Sequence, residues 1–118
     1  MYQKTVDIRQ PRRLLFMSVK KPAYTIQDIQ GYIDSGKVII KEPARSTAKR
    51  DFGWDVNDII NAIKGLKIKH HYYKTRPHDF IPKVNVDYYK AHNYKGVNLY
   101  THFHVQNGKL VITSCKEI

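Results

Sequence analysis

Basic and aromatic side chains are interleaved along the second half of this 118-residue sequence. Lysine and arginine neutralise phosphate groups, and aromatic rings stack on unstacked bases, so this mixture is typical of surfaces that bind single-stranded RNA or DNA. The candidate RNA-binding residues are Tyr72, Arg76, Tyr89 and His104. An ordinary basic sheet with tyrosines half buried at its rim has the same composition and is the alternative interpretation.

The run from Leu99 to Val105 adds groups that could carry a reaction. If this run is a strand, its side chains alternate, and Tyr100, His102 and His104 share the face opposite to the apolar positions. Cleavage of RNA without a metal needs a base for the 2′-hydroxyl proton, an acid for the leaving 5′-oxygen and positive charge near the phosphate. A lysine, a tyrosine and a histidine on one sheet face supply these groups. His102 titrates in the useful pH range and is the candidate base.

Other kinds of site find little support in the sequence. His102 and His104 offer two metal ligands, whereas a zinc site needs three or four, and neither the helical His-Glu-x-x-His spacing nor paired cysteines occur. We therefore expect no metal and no other cofactor.

Cys115 is the only thiol, which excludes a disulfide framework and favours a cytoplasmic location. No apolar run approaches the roughly 18 residues of a membrane span.

The charge balance points to an acidic partner. The chain has 21 lysines and arginines against 10 acids, which gives a formal charge of +11 at pH 7. Such an excess favours a polyanion over a small metabolite as the partner. The length predicts a single domain, 1–118, which we divide into a basic arm at 1–23, a helical half at 24–66 and a sheet at 67–118.

Two kinds of periodicity divide the chain. Apolar residues at helical spacing, with capping residues before them and glycines after them, predict helices over 25–35, 43–52 and 55–64. From residue 67 onward the period changes to two, which predicts strands at 68–76, 84–90, 97–105 and 109–116. Within the first of these strands, alternation places Tyr72, Lys74 and Arg76 on one face. Helices followed by strands predict an α+β domain in which the helices pack on one face of a twisted antiparallel sheet.

Several short motifs follow one another in a characteristic order, including Ala44-Arg45-Ser46-Thr47-Ala48, Phe52-Gly53-Trp54, Tyr72-Tyr73-Lys74, Asp87-x-Tyr89 and Leu99-Tyr100-x-x-Phe103. Their order and spacing, over about residues 25–118, resemble the motility quorum-sensing regulator (MqsR) family of toxins. The resemblance implies a RelE-like fold and a metal-free endoribonuclease that cuts mRNA. It also implies a cognate antitoxin of the MqsA type as the protein partner.

The resemblance also assigns catalytic residues. Lys74, Tyr100 and Lys116 correspond to the family's active-site lysine, its strand tyrosine and its lysine near the end of the chain. By the chemistry above, the two lysines would stabilise phosphate charge, and Tyr100 would bind the scissile phosphate or act as the acid. One position departs from the family pattern, because Val86 stands where the family has a glutamine.

The turn between the last two predicted strands decides whether these residues meet. Asn107-Gly108 is the strongest hairpin signal in the chain, because both residues favour positive φ. A regular two-residue hairpin would pair Tyr100 with Cys115 and turn Lys116 to the opposite face. We therefore predict a one-residue β-bulge in the strand at 109–116, which brings Lys116 opposite Tyr100.

Two other classes of function fit the same sequence. One is a non-catalytic nucleic-acid-binding domain, which predicts salt-sensitive RNA binding without cleavage. The other is an interaction module whose exposed sheet edge pairs with an acidic partner by strand addition. The mRNA endonuclease is the leading interpretation.

Overall fold

The computed structural model describes residues 21–118. The predicted basic arm at 1–23 lies outside these described residues, apart from its last three positions. Within the described part, most of the helices come first and an extended sheet follows, so the predicted α+β class is confirmed.

The described helices are α1 (Ile26–Asp34), α2 (Glu42–Phe52), α3 (Val56–Lys64) and the short α4 (Ile68–His71). Two of them begin at the predicted capping residues. The Thr25 side chain accepts a hydrogen bond from the backbone nitrogen of Asp28 at 3.0 Å, and Asp55 forms a capping box with Asp58. Gly53 ends α2 in the left-handed conformation, with φ of 71°. None of the helices within residues 21–118 has the length and apolar character that a membrane crossing requires.

The sheet has five strands in the order β1-β5-β4-β3-β2. Their bounds are β1 (Val38–Ile40), β2 (Tyr72–Pro77), β3 (Asn85–Tyr94), β4 (Val97–Gln106) and β5 (Lys109–Glu117). The last four strands form an antiparallel meander, and β1 adds a parallel edge beside β5. The sequence analysis assigned no element to β1, because three apolar residues are too few to show a period.

One face of the sheet packs against the helices and forms the core. The helices contribute buried alanines and isoleucines, including Ala44, Ala48, Ile29, Ile59 and Ile63. The strands contribute residues at alternate positions, including Tyr89, Leu99, Phe103, Leu110, Ile112 and Cys115. Burial raises the pKa of the Cys115 thiol to about 12, so this cysteine is a packed, unreactive residue. The side chains of the opposite face, called here the open face, point away from the helices.

The segment predicted as the start of the first strand forms α4 instead. The His71 ring accepts a hydrogen bond through Nδ1 from the backbone nitrogen of Lys67 at 3.0 Å, which closes the turn. The same ring packs against Tyr94 with centroids 5.0 Å apart. Because this local bond and this ring contact stabilise a helical turn, the strand begins four residues later than predicted, at Tyr72.

A buried carboxylate ties the edge of the sheet to the chain before α1. Asp87 is fully buried and accepts hydrogen bonds from the backbone nitrogens of Ala23 and Tyr24, at 2.9 and 3.0 Å. It accepts a third from the Thr75 hydroxyl at 2.5 Å, on the neighbouring strand β2. These three bonds satisfy a carboxylate that would otherwise be costly to bury. Asp87 therefore holds β2, β3 and the entry to α1 together.

Candidate active site

The open face carries a group of lysine, tyrosine and histidine side chains that come from four neighbouring strands. Strand pairing aligns Lys74 with Tyr88, and Tyr88 with His102, in one row across β2, β3 and β4. A second row aligns Lys90 with Tyr100, and Tyr100 with Lys116, across β3, β4 and β5. We call these residues, together with Tyr73, the lysine–tyrosine cluster: Tyr73, Lys74, Tyr88, Lys90, Tyr100, His102 and Lys116.

The predicted β-bulge brings Lys116 into this cluster. The register of β4 with β5 shifts between His102, which pairs with Ser114, and Phe103, which pairs with Ile112, so Thr113 is the extra residue. Beyond this shift Tyr100 pairs with Lys116, and the Lys116 ammonium lies 5.4 Å from the centre of the Tyr100 ring. The prediction of a bulge and of this pairing is confirmed.

A second bulge, which the sequence did not indicate, sets the position of Lys74. The register of β2 with β3 shifts between Tyr72 and Lys74, so Tyr73 is the extra residue there. Lys74 pairs with Tyr88 on the open face, whereas Tyr72 pairs with Tyr89 on the helix-covered face. The predicted alternation, which placed Tyr72 on the same face as Lys74, is therefore wrong, because a bulge resets the phase of a strand.

Aromatic rings hold the three ammonium groups of the cluster. Lys74 Nζ lies 5.1 Å from the centre of the Tyr73 ring and 5.2 Å from that of Tyr88. Lys90 Nζ also contacts Tyr73 and lies 4.1 Å from the centre of that ring. Among the strand positions described on this face none is a carboxylate. Rings attract cations without neutralising them. Asp51 interacts with Lys116, and Glu117 lines a cavity together with Lys90 and Lys116, so acids lie beside part of this positive charge.

Lys90 is a cluster residue that the sequence analysis missed. It is half-buried on β3, directly opposite Tyr100 on β4. Its position two residues after Tyr88 was the available signal, because residues at that spacing share a sheet face. The structure thus brings three lysines, rather than the two predicted, to one surface.

His102 is held in a defined orientation by the bulge residue. Its Nδ1 lies 2.5 Å from the Thr113 hydroxyl oxygen, and that hydroxyl donates to the His102 carbonyl at 3.1 Å. Since the hydroxyl has one proton, its oxygen accepts from Nδ1–H, which leaves the lone pair on Nε2. Burial, with Lys116 and His104 nearby, lowers the pKa of His102 to about 4. The imidazole is therefore neutral at physiological pH, and Nε2 can accept a proton.

Replacing His102 by glutamine is expected to reduce the loss of stability in acid. Because the folded pKa lies below the ordinary value of 6.5, the unfolded chain binds more protons between these values, and the wild-type protein loses stability as the pH falls from 6.5 towards 4. The pKa values of His104 and His71 are also lowered by burial, so part of the slope should remain. The measurement is the thermal midpoint of both proteins at about pH 7, 5.5 and 4.5. Equal slopes in the two proteins would contradict the assignment.

Tyr100 is suited to donate a proton. Burial, with Tyr88 and Tyr73 close by, raises the pKa of its phenol. The group therefore keeps its proton at physiological pH and can donate a hydrogen bond to a phosphate oxygen or a proton to a leaving oxygen. Its ring stands edge-on to His102, with centroids 5.7 Å apart.

The candidate RNA-binding residues differ in their burial and in the face of the sheet that they occupy. Tyr89 is fully buried in the core, where its ring stacks on Phe103 at 5.4 Å. Tyr72 lies on the same covered face, and its hydroxyl bonds to Thr75 at 2.7 Å. His104 is on the open face but only 2% exposed. The Tyr72 and Tyr89 side chains therefore lie on the face opposite to the cluster, and the RNA-binding role of the four residues stays a prediction.

Arg76 keeps its place as a surface cation near the cluster. It is exposed on β2, two residues after Lys74, and pairs with Val86 on β3. Val86, the residue that replaces the family glutamine, is buried on the open face. In residues 21–118, no three histidine, cysteine, aspartate or glutamate side chains come together as metal ligands.

Comparison with known families gives a match over nearly the whole described chain. The profile of the family described as "Motility quorum-sensing regulator, toxin of MqsA" matches residues 21–117. The match includes all four strands of the antiparallel meander and every member of the lysine–tyrosine cluster. No curated protein matches the chain.

Proposed function

The chain belongs to the motility quorum-sensing regulator family, the toxins of MqsA, and we propose that it is a metal-independent endoribonuclease that cleaves mRNA. The family makes it a toxin of a toxin–antitoxin system, with an antitoxin as its protein partner. The cleavage of mRNA in the cytoplasm and an MqsA-like identity for that antitoxin are parts of our proposal. The observation that supports cleavage most directly is the lysine–tyrosine cluster, with three ammonium groups beside a neutral histidine and a protonated phenol.

The cluster supplies each group that cleavage by an internal nucleophile requires. His102 Nε2 takes the proton of the 2′-hydroxyl, whose oxygen then attacks the adjacent phosphorus. The bond from phosphorus to the 5′-oxygen breaks, and the Tyr100 phenol gives its proton to that leaving oxygen. Lys74 and Lys116, with Lys90 between them, stabilise the extra negative charge on the pentavalent phosphate. The products are a 2′,3′-cyclic phosphate and a 5′-hydroxyl, and no water is consumed.

The low pKa of His102 makes the imidazole a weak base but keeps it unprotonated at physiological pH. A base with a pKa of about 4 takes up a proton only as the 2′-hydroxyl loses it, within the transition state. The lysines favour this step, because they stabilise the charge that develops on the phosphate while the proton moves. We therefore propose that charge stabilisation is the larger part of catalysis at this site.

Purified protein incubated with RNA in excess EDTA is expected to give discrete fragments that end in 2′,3′-cyclic phosphates. A single 2′-deoxynucleotide at a mapped cut should prevent cleavage there and leave other cuts unchanged, because the nucleophile is missing. Intact RNA would contradict the proposal, and salt-sensitive binding without cleavage would favour the non-catalytic RNA-binding alternative instead.

A further inference from the structure

A cavity of about 190 Å³ lies on the open face beside the cluster, beneath the loop that joins β2 to β3. We call it the loop pocket. The loop contributes His78, Asp79 and Phe80 to its lining, and the sheet contributes residues that include Val86, Tyr88, His102 and His104. Two of these residues, Tyr88 and His102, also belong to the lysine–tyrosine cluster, so a molecule bound in the pocket would lie next to the proposed cleavage site.

His104, one of the residues that line this pocket, carries an unpaired polar atom. Its Nε2 lies 3.2 Å from the side-chain oxygen of Gln106, so the ring proton is on Nε2 and Nδ1 is an acceptor. His104 is 2% exposed, and its Nδ1 is buried without a hydrogen-bond partner in the described part of the chain. Buried polar atoms are almost always paired, so this acceptor is open to a donor from a ligand that displaces the His78 ring, whose centre lies 4.9 Å from that of His104.

Phe80 places a large aromatic ring in solvent at the rim of the same pocket. It is 88% exposed, although free energy would favour burying such a ring. The loop around it is well defined, because His78 Nδ1 accepts hydrogen bonds from the backbone nitrogens of Phe80 and Ile81 at 3.1 and 3.2 Å. The loop is closed by the bond from the His78 nitrogen to the Val84 carbonyl at 2.8 Å. Local bonds therefore fix the backbone that carries this exposed ring.

We propose that the loop pocket binds one nucleobase of the RNA, adjacent to the scissile phosphate. Phe80 and Tyr88 offer faces for stacking, Val86 supplies an apolar wall, and His104 Nδ1 accepts a hydrogen bond from an N–H on the edge of the base. The cavity is smaller than the roughly 300 Å³ at which pockets for larger ligands begin, which suits a base whose sugar and phosphate remain outside on the cluster. This inference rests on the proposed function, since the cluster must hold the neighbouring phosphate.

The first test compares cleavage of an RNA pool with all four bases represented around the cut. Wild-type protein is expected to prefer one base at one position beside the cut. Phe80→Ala should lower kcat/KM for that base on the order of tenfold, because one stacking contact is lost, and should weaken the preference at that position only. Val56→Ala, which removes an exposed apolar side chain from α3, is the matched control and should cleave like the wild type. An unchanged preference in Phe80→Ala would overturn the proposal.

The second test does not depend on cleavage. Protein labelled with ¹⁵N in its histidine rings is titrated with AMP, GMP, CMP and UMP, and with inorganic phosphate as a separate probe. At least one nucleotide should shift the Nδ1 resonance of His104, and phosphate alone should not. His104→Phe should abolish binding of that nucleotide while keeping a ring of similar shape, and a circular dichroism spectrum checks its folding.

The two tests separate this inference from the proposed function. A nucleotide-dependent shift at His104 with uncut RNA would support the base site and overturn the nuclease proposal. Cleavage of RNA with no shift at His104 for any nucleotide would overturn the base site and leave the nuclease proposal standing. A shift produced equally by inorganic phosphate would also overturn the base site, because the pocket would then recognise the anion.

Discussion

Lys74→Ala is expected to abolish RNA cleavage and to relieve the growth arrest that we expect on expression of the wild-type chain. Lys74 is the cation of the row that contains Tyr88 and His102, and its ammonium lies 5.2 Å from the centre of the Tyr88 ring. Loss of one charged group that stabilises a transition state costs about 10²- to 10³-fold in rate. The measurement is kcat/KM on a defined RNA, together with colony growth on induction.

The controls for this variant distinguish lost chemistry from lost structure. The contacts of Lys74 with Tyr73 and Tyr88 are worth about 0.5–1 kcal/mol at an exposed site, so the thermal midpoint should change little. Lys49→Ala removes an exposed lysine from α2, on the helical side, and should cleave RNA at the wild-type rate. If Lys74→Ala cleaves within about threefold of the wild type, Lys74 does not stabilise the transition state.

Asp87→Ala is expected to lower the free energy of unfolding by about 2–4 kcal/mol, because it removes a fully buried acceptor that three part-buried hydrogen bonds, from Ala23, Tyr24 and Thr75, share. This is a large share of the 5–15 kcal/mol that holds a typical domain folded. The measurement is urea unfolding followed by circular dichroism. Asp34→Ala is the matched control, since its ion pair with Lys64 is exposed and worth at most about 1 kcal/mol. Equal midpoints for the two variants would show that Asp87 is not an anchor.

Asp87 also bears on the site, because it reaches the strand that carries Lys74. Its bond to the Thr75 hydroxyl fixes the residue directly after Lys74 in β2. Because its hydrogen bonds go to the chain before α1 and to Thr75, Asp87 acts as a positioning residue. Both named residues of the motif Asp87-x-Tyr89 therefore have structural roles. Asp87 anchors the chain, and the Tyr89 ring is part of the core.

The elements that obey local rules were predictable from the sequence. Thr25 and Asp55 cap their helices as expected, and Asn107 and Gly108 take the positive φ values, 53° and 72°, that the hairpin turn requires. The pairing of Tyr100 with Lys116 was predicted by combining turn geometry with a family motif. Helix capping and turn type depend on only a few neighbouring residues, so the residue types at those positions are enough to predict them.

The features that were missed depend on contacts between distant parts of the chain. The bulge at Tyr73 reversed the predicted face of Tyr72, and nothing in the alternation of that segment marks an extra residue. The burial of His104 results from the β2–β3 loop, which lies over the open face and brings His78 to 4.9 Å from the His104 ring. A pattern along one strand cannot show what another segment covers.

The extra residue at Thr113 divides β5 into two stretches that serve different purposes. Between the turn and Thr113, the strand's alternation delivers Leu110 and Ile112 to the core, and beyond Thr113 it delivers Lys116 to the open face. A one-residue insertion or deletion elsewhere in the second stretch would place a neighbouring residue, instead of Lys116, opposite Tyr100. When related sequences are aligned, the equivalent lysine should therefore be identified by its strand pairing with the tyrosine that it faces. Its distance from the end of the chain is free to vary during evolution.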